Sequence, residues 1–414
     1  MLHKPELLAP AGDMEKLRVA LNYGADAVYI GGKDYSLRAA AGNFASGELA
    51  QAAAFAHSRG KKLYLAVNIF ARNEDLEALP AYLRQAAAAQ VDALIVADLG
   101  VFALARRYAP ALPVHISTQA NNVNWQSAAM WARLGAQRVI LGRELSIAEA
   151  AHISAVSGLE TEYFVHGAMC MAYSGRCLIS SFLTGRDANR GDCAQPCRWR
   201  YTVQEEQRPG EFMPVEEDAR GSYIFNSKDL CLIDALPQLL QAGISALKIE
   251  GRNKSAYYIA NVTRVYRQAL DAAYAAGEGY TIREEWREEL AKISHREYTH
   301  GFAFTQTAAQ AQRHISADPV RGYDFVATAQ RLEAGQLILQ QRNHFKPGDT
   351  LELLLPRGGQ LDLPVTELYG ELGQSLSAAA HPQQTVFLPL TAEQQEALKP
   401  WKLPLVLRRP ARKT

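Results

Sequence analysis

Leu63-Tyr-Leu-Ala-Val67, then Ala93-Leu-Ile-Val-Ala97, then Val114-His-Ile116 follow one another along the chain, with longer helical patterns between them. Each is a short apolar run that stops at a polar residue (Asn68, Asp98 and Ser117), as a strand buried on both faces does where it reaches a surface. Such strands alternating with helices mark βα units around a parallel sheet. Working outward, the pattern recurs at Leu7–Ala9, Ala27–Ile30, Arg138–Leu141, Glu162–Val165 and Ala246–Ile249, which brings the number to eight. Gly47–Ser58 and Ser146–Ser157 read as intervening helices, the second opening on Ser146 as N-cap with Glu149 three residues on. Eight units predict an α/β fold, a (β/α)8 barrel of the TIM type.

Parallel strands end on one face, so the polar residues just past them should gather at one mouth. They are Gly31 and Gly32, Asn68, Asp98, Ser117 with Thr118 and Gln119, Arg143 with Glu144, His166 with Gly167, and Glu250 with Arg252. Taken singly, each reads as a cap or a loop-fixing group. Their joint position makes the mouth the candidate site.

Two stretches break the regular spacing. One, from about 168 to 229, holds every cysteine and an acidic loop from Glu205 to Asp218. The other follows the helical pattern Ser255–Ala275 and leads, near Tyr323, into short strands with the turn signals Lys346-Pro-Gly-Asp349 and Pro356-Arg-Gly-Gly359. The expected organisation is therefore a barrel over 1–321 carrying a cysteine-rich insert, and a small β-barrel over 322–414 with a core of its own, a module suited to holding RNA.

Composition narrows the class. With 414 residues, 44 Lys plus Arg against 43 Asp plus Glu, and 48% hydrophobic residues, the chain is globular and not basic throughout. RNA contacts, if present, must come from local patches. Two patches qualify: Arg186, Arg190, Arg198 and Arg200 with Trp199 and Tyr201, and the group Lys399, Trp401, Lys402, Arg408, Arg409, Arg412 and Lys413, which reads first as a solvated terminus. No run of about 18 apolar residues exists to span a membrane, and the opening residues turn polar too early for a signal peptide, so the expected location is cytoplasmic.

All five cysteines fall between Cys170 and Cys231, at Cys170, Cys177, Cys193, Cys197 and Cys231. An odd number in a confined region fits a disulfide framework poorly and a metal or redox site well. Thiolates are soft ligands for iron–sulfur clusters or zinc, and four close a tetrahedral shell around either. Only Cys193 and Cys197 have the close spacing usual in structural zinc sites, so the irregular layout favours iron–sulfur and leaves zinc open. Five independently buried free cysteines are the bland alternative, and their clustering argues against it.

The segment Glu162-Tyr-Phe-Val-His166-Gly-Ala-Met-Cys170, with Tyr173-Ser-Gly-Arg-Cys177-Leu-Ile-Ser180, closely resembles the signature of the collagenase-like peptidase family of unassigned catalytic type. The resemblance extends over Glu6–Gly12, Gly24–Gly32, Ser117–Gln119, Leu141–Leu145, Asn226–Cys231 and Lys248–Arg252. Within the family, Asp187–Trp199 and the β-module look most like the branch that hydroxylates the wobble uridine of tRNA to 5-hydroxyuridine without molecular oxygen, with prephenate as hydroxyl source. Relatives act on a ribosomal RNA cytidine or the ubiquinone ring. The resemblance to the quinone-ring relatives implies an iron–sulfur cluster, of the [4Fe-4S] type, on Cys170, Cys177, Cys193 and Cys231, with Cys197 spare.

A wobble-uridine hydroxylase needs cations for the dicarboxylate; Arg143, Lys248 and Arg252 at the strand ends are the candidates, and His166 is the candidate proton shuttle. The alternative, a peptidase, lacks a His-Glu-x-x-His pair and a Gly-x-Ser-x-Gly elbow, though His166 lies four residues from Cys170. No P-loop or Rossmann glycine loop is present, so no nucleotide cofactor is indicated.

Overall fold

The computed structural model describes residues 3–36, 42–169, 176–199, 202–203, 213–214, 228–304 and 322–411. Eight parallel strands form its barrel: β1 (Glu6–Pro10), β2 (Ala27–Gly31), β3 (Lys62–Val67), β4 (Ala93–Val96), β5 (Val114–Ile116), β6 (Arg138–Ile140), β7 (Glu160–Ala168) and β8 (Ala246–Ile249). Each pairs with the next in chain order, and β8 pairs with both β7 and β1, which closes the ring. The eight expected runs are these eight strands. Leu7, Leu8, Leu63, Leu65, Leu94 and Val96 have no accessible surface, because helices cover one face and the barrel interior the other. Ser146 and Glu149 form the expected capping box, with Glu149 accepting from the Ser146 amide at 2.8 Å and Ser146 Oγ from the Glu149 amide at 3.2 Å. Among the described residues no helix is long and apolar enough to cross a membrane.

The barrel interior departs from the usual filling of branched aliphatic side chains. Glu162, fully buried, holds Lys248 Nζ at 2.6 Å and Arg138 at 3.2 Å, and Arg138 reaches on to Glu6 at 2.9 Å and Glu160 at 2.7 Å. Tyr64 donates to Glu6 at 2.8 Å. A chain of paired charges thus runs along the barrel from β1 to β8.

The short strand Asp229–Cys231 lies antiparallel to the end of β7, pairing Cys231 with His166, and Tyr298–Thr299 adds beside it. This extension was not among the expected runs: Asp229–Cys231 begins where the irregular insert ends, and Tyr298–Thr299 is a two-residue piece beyond the long helix.

The carboxyl-terminal module is a curled antiparallel sheet of β9 (Tyr323–Glu333), β10 (Gln336–Gln341), β11 (Thr350–Leu354), β12 (Gln360–Pro364), β13 (Thr385–Pro389) and β14 (Leu405–Pro410), in the order β12-β11-β14-β9-β10-β13. The two-residue turn between β9 and β10 uses Ala334 and Gly335, both at positive φ, which matches the twist of the strands it joins.

The expectation of a separate core needs correction. Tyr23, at the end of the first barrel helix, is fully buried; its hydroxyl donates to Leu354 O at 2.8 Å and accepts from Val406 N at 3.0 Å. Arg408 is also fully buried, with Glu352 at 2.8 Å and Glu289 at 2.9 Å. Arg264, on the long helix Ala256–Ala276, donates to Gly359 O at 2.9 Å. Sheet and barrel share a buried polar seam. Arg408 and Arg409 are therefore not part of a solvated terminus: they lie on β14, and Arg409 pairs with Asp349 at 2.9 Å. Arg412 and Lys413 lie outside the described residues.

Candidate active site

At the mouth, a cavity of about 60 Å³ is lined by Asn68, Ser117, Thr118, Gln119, Arg143, Glu250 and Arg252 from the loops after the strands, and by Tyr29, Phe164 and Lys248 from the strands themselves. The expected gathering of strand-end residues is present. Arg143 stacks over Phe164, its guanidinium carbon 3.6 Å from the ring centre, and pairs with Glu250 at 3.2 Å. Lys248 Nζ stands 4.3 Å over the Tyr29 ring and is tethered from below by Glu162. Burial lowers its pKa from the ordinary 10.5, and the Glu162 carboxylate opposes that shift. Arg252 donates to Ser36 Oγ at 3.2 Å across the end of β2. Asn68 donates to Ser117 Oγ at 3.2 Å, so these two polar groups hold each other in place at the rim.

Other expected residues go elsewhere. Asp98 caps the helix Leu99–Tyr108, accepting from Val101 N at 2.9 Å, which is the bland role. His166 is 1% exposed and packs against Tyr258, Tyr266 and Tyr298, with ring centres 5.9, 5.4 and 5.3 Å away. It does not line the cavity. Burial, with the fields of His295 and Lys254, pushes its pKa down to about 3, so it is neutral and poorly placed to shuttle protons at the mouth. Tyr29, Phe164 and Glu162 were missed as site residues, although each lies within strands read correctly. Their signal is the two-residue period: Phe164 follows Glu162 on the same face.

The insert docks on the loop after β3. Arg190 clamps Asp75 in bidentate fashion at 2.7 and 3.1 Å, and Phe70 N donates to Asn189 O at 3.1 Å. Arg186 pairs with Asp192 at 2.7 Å, while Trp199 is exposed. Two of the arginines read as RNA contacts therefore fix the insert; Arg200 and Tyr201 lie outside the described residues, as do the side chain of Arg198 and all of Cys170. The segments around Cys177 and Cys193 are stitched together: Asn189 donates to Cys177 O at 3.1 Å and Ala194 N to Ser180 Oγ at 3.0 Å. Cys193 Sγ accepts from Gln195 N at 3.3 Å. Cys177, Cys193 and Cys197 are half-buried, and Cys231 is buried with its Sγ 3.7 Å from Tyr266 Oη. Burial pushes the Cys231 thiol up to about 11.

The profile of peptidase family U32 matches residues 12–313, and that of the peptidase family U32 C-terminal domain matches residues 321–400. The chain is 42% identical over 386 residues to tRNA hydroxylation protein P1 of Bacillus subtilis (strain 168), covering 92% of this chain and 91% of that protein. It is 38% identical over 431 residues to tRNA hydroxylation protein P of Escherichia coli (strain K12), covering 94% of each. A collagenase of Porphyromonas gingivalis (strain ATCC BAA-308 / W83) is 31% identical over 394 residues, covering 89% of this chain and 90% of that protein.

Proposed function

The chain belongs to peptidase family U32, and from that premise we propose that it is a tRNA-modifying enzyme that hydroxylates wobble uridine to 5-hydroxyuridine without molecular oxygen, with prephenate as hydroxyl source. The observation that carries this reading is the mouth itself: three cations, Arg143, Lys248 and Arg252, around a small cavity walled by Tyr29 and Phe164. Cations of this kind seat carboxylates, and aromatic walls suit a ring. The cavity has room for a carboxylate-sized group at its floor, with the pyrimidine above it. A wobble nucleotide enters such a mouth at low cost because it starts unpaired. Asn68 and Gln119 at the rim offer amide donors and acceptors to a base edge. The names of the Bacillus and Escherichia relatives support tRNA as the molecule that is hydroxylated.

Cys170, Cys177, Cys193 and Cys231 would hold a [4Fe-4S] cluster. Asn189 and Ser180 tie the Cys177 and Cys193 segments together, but among the described residues no three of these side chains gather into one ligand group, so assembly of the set rests on Cys170, which lies outside them. Such a cluster would supply one-electron or Lewis-acid chemistry. The peptidase alternative has less support. A cysteine nucleophile needs a lowered thiol pKa and a basic histidine. The thiol of that reading, Cys170, lies outside the described residues, and its histidine, His166, is pushed down to about 3 by burial and is a poor base at neutral pH.

The test begins with anaerobic purification. Iron and acid-labile sulfide should each come to about four per chain. Cys170→Ala should lose both and Cys197→Ala should keep them; stoichiometric zinc without sulfide would refute the cluster. In cells lacking the protein, mass spectrometry of tRNA nucleosides should show loss of wobble 5-hydroxyuridine derivatives, and Arg143→Ala should fail to restore them. Intact tRNA modification with lost ribosomal RNA or quinone hydroxylation would assign the protein to a different substrate.

A further inference from the structure

A second cleft, of about 730 Å³, opens between the barrel and the carboxyl-terminal sheet. Its barrel wall includes Gly24, just before β2, and Arg59 and Lys61, just before β3. Residues that precede parallel strands lie at the base of the barrel, so this cleft faces away from the mouth. Its other wall carries Arg357, from the turn between β11 and β12, and Trp401 and Lys402, from the segment before β14.

The lining is cationic: among the described residues Arg59, Lys61, Arg267, Arg283, Arg357 and Lys402 stand against Asp271 as the one acidic side chain. Asp26 engages Lys61 at 2.9 Å and Arg267 at 2.8 Å. Arg357 and Lys402 are exposed and make no ion pair among the described residues. Arg59 lies over Phe55 at 3.9 Å, with a buried Nε that has no hydrogen-bond partner. Trp401, half-buried, lines the same space, whereas Trp286 is 4% exposed, stacked on Tyr280 and covered by Arg283.

Guanidinium and ammonium groups beside the half-exposed Trp401 indole match a polynucleotide, whose phosphates take the cations and one of whose unpaired bases stacks on the ring. An acidic protein surface would use the cations and leave Trp401 without a role. We propose that this cleft is a docking groove for tRNA, engaging a part of the molecule other than the nucleotide being modified. The proposal rests on the tRNA reading above and adds a second site to it. Barrel strands of five or six residues span roughly 15–20 Å. One anticodon loop cannot fill the mouth and reach the base as well, so the groove takes a second region of the same RNA.

The experiment compares the full chain with its Arg357→Glu/Lys402→Glu variant, using full-length tRNA and an isolated anticodon stem-loop hairpin. Both substituted residues are exposed, and an unchanged thermal midpoint confirms the fold. The variant should bind full-length tRNA about ten- to a hundredfold more weakly at physiological salt, and the slope of log affinity against log salt should fall by about 1.4, the value for two lost single-strand phosphate contacts. Hairpin binding should be the same for both proteins. Equal affinity and slope for full-length tRNA would overturn the groove, as would a hairpin loss as large as that of full-length tRNA. Failure of the wild-type protein to bind either RNA would overturn the tRNA reading itself, and the groove with it.

Discussion

Glu162 has both carboxylate oxygens taken by cations, Oε1 by Lys248 and Oε2 by Arg138, with no water access to share the load. Its charge holds Lys248 in place beneath the cavity despite full burial. Glu162→Gln would leave a buried ammonium without its counter-ion, a change that typically costs about 3–5 kcal/mol. The pH dependence has a definite sign. With the folded pKa of Lys248 below its ordinary 10.5, the unfolded chain binds more protons between those two values, so stability rises with pH there. Glu162→Gln lowers the folded value further and widens the window. Thermal unfolding from about pH 7 to about pH 10 should show the deficit of Glu162→Gln shrinking as pH rises, and Lys248→Met in the same background should recover part of it. A deficit independent of pH would mean that Lys248 is not the group left unpaired.

At the level of the element, β2 ends on Gly31 because Arg252 needs the space. A Cβ there would stand 1.9 Å from the Arg252 guanidinium and 2.4 Å from Ser36 Oγ. The strand end and the loop after β8 are thus fitted to one another across the mouth. Gly31→Ala should displace Arg252 and lower kcat/KM for tRNA hydroxylation, and Gly31→Ala/Arg252→Ala should be no worse than Arg252→Ala alone; additive losses would separate the two residues. The sequence exposed this arrangement unevenly. Gly31 and Arg252 were legible as strand-end residues because buried parallel strands leave unbroken apolar runs with clear stops. Their contact was not, since it joins residues more than two hundred positions apart. His166 illustrates the opposite failure: it was expected just past a strand that ends at Val165, but β7 runs on to Ala168, and the added strand Asp229–Cys231 with Tyr258 and Tyr266 from the long helix enclose it. Arg408 read as terminal charge for a similar reason, because Glu289 and Glu352, which neutralise it, are distant in the chain.

Across the whole molecule, the seam around Arg408 makes barrel and sheet depend on one another. Burial would raise the pKa of Glu289, but the hydrogen bond from Arg408 and the fields of Arg264 and Arg408 prevail and hold it at about 2. A carboxylate lowered from 4.5 contributes stability that is complete above 4.5 and lost as pH falls towards about 2. Arg408→Leu should cost about 3–5 kcal/mol at neutral pH by stranding buried carboxylates, and urea unfolding should show the gap from wild type narrowing below about pH 4.5. Removing residues beyond Gly322 should lower the thermal midpoint of the remaining barrel, since it uncovers Tyr23, Arg264 and Glu289 together; an unchanged midpoint would restore the picture of independent cores. The strand order carries a consequence for synthesis on the ribosome. β14, latest of the six in the chain, lies between β11 and β9, so a nascent polypeptide has two unjoined strand groups with open edges until residues 405–410 emerge. During that interval the exposed edges can pair with other chains, and a translational stall just before β14 should yield an aggregation-prone product that chaperones retain even though the barrel strands are already complete.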